Sequence, residues 1–144
     1  MDKFQADLLE YPGKVLLEGP KQSHPYILLV IDCVSRYLFF SYIDSKSRNN
    51  TLKGFKDILP QIIKKREKCI FASTSTMSFL ADYGEEFKGS NLRDFMATHN
   101  SQIFNFGPTG KHKRGSIIER TIRCFSYFCY FGFYTLYPVY ITEL

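Results

Sequence analysis

The run from Tyr26 to Val34, YILLVIDCV, constrains the fold more than any other stretch of the chain. It is short, almost continuously apolar and rich in β-branched residues, which suits a strand covered on both faces. Such a strand needs sheet neighbours beside it and a layer on each side. Ser35-Arg36 then makes a tight turn, and YLFFSYI from Tyr37 to Ile43 is a second strand, so the two form an antiparallel hairpin. Upstream, Met1 to Glu10 reads as a strand with Phe4, Ala6 and Leu8 on one face and Asp7 on the other.

The pattern changes after the hairpin. Asp44 to Asn50 is polar and loop-like. From Thr51 to Glu67, the residues Leu52, Phe55, Ile58, Leu59, Ile62 and Ile63 recur at helical spacing, with lysines opposite. Asn50 or Thr51 stands where a cap belongs, and Pro60 inside the pattern allows a kink or two shorter helices. Met77 to Ala81 reads as a short buried strand ending at Asp82, and Tyr83-Gly84 turns the chain out of it. Lys88 to Asn100 is predicted as a helix with Leu92, Phe95 and Met96 inward, and Gln102 to Phe106 as a last strand. Lys14 to Leu17, bracketed by Pro12-Gly13 and Gly19-Pro20, is a hairpin arm or loop. Strands followed by alternating helices predict an α/β layer with a mixed sheet, and 144 residues are enough for one domain with a core.

The formal net charge is +5, and much of the Lys and Arg falls in two blocks. Lys64, Lys65, Arg66 and Lys68 form one; Lys111, Lys113, Arg114, Arg120 and Arg123 form the other. Such blocks suit a polyanion, with a solvated helix face as the plain alternative. The four cysteines show no zinc-type spacing, and no signal-peptide pattern opens the chain. An intracellular setting is the expectation. Residues 126–144 form an uncharged aromatic tail up to Ile141, rich in Tyr and poor in aliphatics; burial against the core or a dimer partner is expected rather than membrane insertion.

Three carboxylates stand in unusual contexts. Asp7 lies mid-strand among apolar neighbours, Asp82 ends a strand before a glycine turn, and Glu119 lies in a helix opened by Gly115-Ser116. An ionised carboxylate among apolar residues is costly unless it is paired or holds a metal. Converging acids repel one another, and Mg²⁺ bound through one or a few of them relieves that repulsion. Each acid also has a plainer reading. Asp7 fits an exposed edge strand, Asp82 a turn cap, and Glu119 a surface pair with Arg120 or Arg123. Asp32 is the main decoy, and Glu85 and Glu86 read as solvated residues at a helix entry. Gly84 reads as a tight-turn residue.

FQADLLEY around Asp7, LADYGEEF around Asp82 and KRGSIIERTIR around Glu119 resemble the three catalytic acids of the retroviral-type integrase core, a member of the DDE superfamily. The resemblance is greatest to integrases of Maverick/Polinton-type DNA transposons and related viruses. The 36 residues between Asp82 and Glu119 are close to the family spacing, and the hairpin YILLVIDCVSRYLFF looks like the family's second and third strands. Ala81 departs from the family, where Thr or Ser is usual. The likeness runs from about Phe4 to Phe125, which makes residues 1–125 the integrase core and 126–144 an atypical tail.

The resemblance implies a ribonuclease H-like fold, with a five-stranded mixed sheet and helices on both faces. It implies a polynucleotidyl transferase with endonuclease activity, which trims a DNA 3′ end and joins it to target DNA. Asp7, Asp82 and Glu119 are then the catalytic and metal-binding residues for two Mg²⁺ or Mn²⁺ ions. Lys111, Lys113, Arg114, Arg120 and Arg123 contact DNA. The implied partners are element ends, target DNA and further copies of the chain, as a dimer or higher oligomer, in the host nucleus. The alternative is an inactive or truncated element-derived module that binds DNA or dimerises.

Overall fold

The structure is a computed structural model and describes residues 2–10, 26–68, 75–82, 84–105 and 117–124. The Lys14–Leu17 run, Phe106, the basic loop with Lys111, Lys113 and Arg114, and the tail from residue 125 lie outside the described residues.

Strand β2 (Tyr26–Asp32) does what its composition predicts: Leu28, Leu29 and Val30 lose all solvent exposure, with side chains on both faces. It pairs antiparallel with β1 (Asp2–Glu10) on one side and β3 (Leu38–Ile43) on the other. Two further strands, β4 (Met77–Ala81) and β5 (Ser101–Asn105), add in parallel to β1. The sheet order β3-β2-β1-β4-β5 gives a five-stranded mixed sheet. With helices on its two faces, this is the ribonuclease H-like architecture.

One face carries helices α1 (Arg48–Glu67) and α2 (Ser90–Thr98) and a short 3₁₀ turn, Glu85–Phe87. Phe4 and Phe79 are partners across β1 and β4 and stack there with centroids 4.9 Å apart. Phe55 of α1 meets Phe79 and Phe87 edge-on, the favoured geometry for aromatic pairs. Gly54 lets α1 come down onto the sheet, because a Cβ there would lie 2.9 Å from Leu28 Cδ2. The other face buries Ile27, Leu29 and Ile31 of β2 against Ile118. Ile118 belongs to helical residues 117–124, here α3.

Several local expectations are corrected. Helix α1 starts earlier than predicted, because Ser47 is its N-cap and accepts the Asn50 amide at 3.3 Å; neither Asn50 nor Thr51 caps it. Its helical backbone is unbroken through Pro60, which lies on the exposed side, where a carbonyl left without its donor can meet water. Strand β2 stops at Asp32, and the turn runs through residue 35, with Arg36 in the left-handed region at φ 63°. Helix α2 is shorter than Lys88–Asn100. Asn100 ends it at φ 51°, a conformation that Asn tolerates better than most residues.

Candidate active site

The site is built at the ends of two neighbouring parallel strands. The last register pair between β1 and β4 is Ala6 with Ala81. Asp7 and Asp82 each follow that pair by one residue, so the two acids emerge side by side from strands about 4.8 Å apart. Asp7 stands on a central strand, flanked by β2 and β4, and is half-buried. The edge-strand reading of Asp7 is thereby excluded.

Asp7 Oδ1 accepts the Leu8 amide at 2.8 Å. Its pKa is nevertheless pushed up from 3.8 to about 6, first by burial and then by the negative charges of Asp82 and Glu119. The Leu8 hydrogen bond and Lys46 oppose the rise. Asp82 is exposed, and its Oδ1 accepts the Gly84 amide at 3.0 Å, so it does cap the turn, as the plainer reading holds. Its backbone carbonyl accepts Asn105 Nδ2 at 2.9 Å, which ties the end of β5 to the same corner.

The helix that carries Glu119 is tied to β1 through Gln5, and Glu119 itself is exposed. The Gln5 side chain is buried within β1, and its Oε1 accepts the Ile118 amide at 3.0 Å. Gln5 and Asp7 are two residues apart on one strand and share a face. The bond therefore fixes α3 over that face next to Asp7. Arg120 and Arg123 are exposed on α3, and among the described residues no ion pair joins either to Glu119. Lys111, Lys113 and Arg114 lie outside the described residues.

Asp32 is no part of this site. Its register partner is Phe4, toward the opposite end of β1 from Asp7. Its carboxylate is satisfied locally by the Val34 amide at 2.9 Å and the Ser35 hydroxyl at 2.8 Å.

Three participants escape the sequence reading. Gln5 had a readable signal, as a polar residue alternating with Asp7 on a covered strand. Lys46 and Glu86 had none, because they meet only in the folded chain. Glu86 is not solvated: its side chain is 5% exposed and pairs with Lys46 Nζ at 3.2 Å. Gly84 is also reinterpreted. Its backbone is ordinary (φ −62°, ψ 145°), and a Cβ there would lie 2.5 Å from Glu86 Oε2. The glycine leaves room for the Glu86 carboxylate and is not required by its own backbone conformation.

Among the described residues, no three His, Cys, Asp or Glu side chains stand close enough together to hold a metal ion. The arrangement supplies an adjacent pair, Asp7 and Asp82, with Glu119 acting on Asp7 through its charge. Such a pair fits Mg²⁺ or Mn²⁺, hard cations that take one or two carboxylates and fill their other positions with water or phosphate oxygens. No helix among the described residues is long and apolar enough to cross a membrane. In comparison with known proteins, no family model matches the chain, and no curated protein matches it in sequence.

Proposed function

We propose that the chain is the catalytic core of a retroviral-type integrase, a metal-dependent enzyme that cuts and rejoins DNA phosphodiesters. The observation that carries this reading is the Asp7–Asp82 pair at matched positions on parallel strands, with the Glu119 helix bonded back to β1 through Gln5. The fold and the adjacency of Asp7 and Asp82 support it together, and the charge of Glu119 reaches Asp7.

On this reading Asp7 and Asp82 hold Mg²⁺ or Mn²⁺ and Glu119 completes the set. Bound there, such ions supply an activated oxygen nucleophile and stabilise the leaving oxygen of a phosphodiester. The chain's own work is positional. Gln5 sets the height of α3, the Leu8 amide orients one Asp7 oxygen, and the Gly84 amide orients one Asp82 oxygen. Arg120 and Arg123 hold the DNA backbone as it crosses α3, joined in this by Lys111, Lys113 and Arg114. The partners are element ends, target DNA and further copies of the chain, and the setting is the host nucleus.

The test uses supercoiled plasmid and an end-labelled DNA duplex with Mn²⁺. The parent protein nicks or joins DNA, and Asp7→Asn and Glu119→Gln each abolish the reaction with the fold intact by circular dichroism. A folded parent with no metal-dependent activity on either DNA sinks the catalytic reading and leaves a DNA-binding or dimerising module.

A further inference from the structure

The acid pair has a positive neighbour that the proposed chemistry does not use. Lys46 lies in the loop between β3 and α1, and its ammonium rests on Glu86 Oε1 at 3.2 Å. Lys46 is half exposed, whereas the Glu86 side chain is 5% exposed, so the carboxylate is the fixed partner. We infer that Glu86 holds the Lys46 ammonium away from Asp7 and Asp82 and so reserves that pair for a divalent cation. The inference rests on the metal reading above and assigns Glu86 as a positioning residue within it.

The geometry runs through one glycine. The Gly84 amide donates to Asp82 Oδ1 at 3.0 Å. The place of its missing Cβ lies 2.5 Å from Glu86 Oε2 and 2.7 Å from Glu86 Oε1. Asp82, Glu86 and the Lys46 ammonium are therefore neighbours around one turn, and the charges of Asp82 and Asp7 both reach Lys46. A lysine on a flexible four-carbon stem, this near two carboxylates, would settle on them if nothing else held it. An ammonium there occupies the position a metal needs. A buried carboxylate gives it a better partner, because removing either member leaves an unpaired buried charge or frees a cation. The Lys46–Glu86 pair is also neutral as a whole, so it opposes an incoming cation less than a bare lysine does. The plain rival is an ion pair that merely docks the 3₁₀ turn onto the β3–α1 loop.

Mn²⁺ titration followed by electron paramagnetic resonance separates the two without requiring catalysis. Glu86→Gln weakens Mn²⁺ binding roughly five- to tenfold, and adding Lys46→Met restores it to within about twofold of Lys46→Met alone. Gly84→Ala, which keeps every charge and an unstrained backbone, displaces the Glu86 carboxylate and gives the same loss with the same rescue. It carries the test if Glu86→Gln does not fold. If the loss is equal with and without Lys46→Met, or if folded Gly84→Ala binds Mn²⁺ like the parent, the inference falls while the metal reading stands. If the parent shows no Mn²⁺ binding that Asp7→Asn removes, both fall.

Discussion

Asp7→Asn should stabilise the protein at neutral pH, and the gain should disappear in acid. The Asp7 carboxyl has its pKa raised from 3.8 to about 6, mainly by burial. Below pH 3.8 it is neutral in both the folded and unfolded chain and costs nothing. Between 3.8 and about 6 the unfolded chain ionises while the folded chain holds its proton, so stability falls as pH rises. Above that window both forms are ionised and the penalty is constant. The gap between 3.8 and about 6, at about 1.4 kcal/mol per tenfold change in proton affinity, is about 3 kcal/mol. Solvent screening at a half-buried site lowers the observable part to about 2 kcal/mol. Asparagine keeps an oxygen for the Leu8 amide and has nothing to ionise. Urea denaturation at pH 4, 5, 6 and 7, in chelator, measures the difference between variant and parent. It should be near zero at pH 4 and level off above pH 6. A variant less stable than the parent at pH 7, or a difference independent of pH, refutes the picture of Asp7 as a carboxylate whose charge burial makes costly.

Two further perturbations probe the supports of the site. Gln5→Leu leaves the Ile118 amide without its acceptor, a loss of about 1–3 kcal/mol for a buried donor. Hydrogen exchange of the amides in residues 117–124 should quicken; unchanged exchange there would show that α3 is held by other contacts. Gly54→Ala brings a Cβ to 2.9 Å from Leu28 Cδ2 and 3.1 Å from Ile43 Cγ2. Overpacking of about 1–3 kcal/mol then outweighs the gain of about 1 kcal/mol from alanine's helix propensity. A higher denaturation midpoint than the parent's would contradict that close approach.

What could be read in the chain follows from how local each signal is. β2 was legible because burial on both faces leaves almost no polar residue from Tyr26 to Asp32, whatever packs above it. Asp7 was legible as a charge in mid-strand between apolar neighbours. The start of α1 was not, because Ser45, Ser47 and Asn50 all cap well, and only the fold decides that the Ser47 side chain, on extended backbone, meets the Asn50 amide. Glu85 and Glu86 are alike in sequence, yet their fates differ. Glu85 is exposed and joined to Arg48 and Lys88, while Glu86 turns inward beside buried Phe87 to meet Lys46. Which of two adjacent glutamates is buried depends on a partner far upstream, and no period or motif encodes that. The convergence of Asp7 and Asp82 depends on strand order, since they adjoin only because β4 adds in parallel beside β1.

That strand order also explains why the acids are unequal, and the inequality has a measurable consequence. β1 continues to Glu10 along β2, but its ladder with β4 ends at Ala6 and Ala81. Past that point, among the described residues, β1 keeps only β2 beside it, at the carboxyl ends of parallel strands, where open α/β sheets place their ligands. Asp7 is half-buried opposite Leu29 of β2, and Asp82 is exposed. A cation entering from solvent meets Asp82 first and relieves the charge on Asp7 last. Mn²⁺ should therefore stabilise the parent at pH 7, where the Asp7 penalty is in force, and add little at pH 4, where Asp7 is protonated and the site must lose a proton to bind. Asp7→Asn should show the smaller response at both pH values. Thermal denaturation with and without Mn²⁺ measures this directly. Equal stabilisation of parent and variant at pH 7 would place any bound cation away from Asp7.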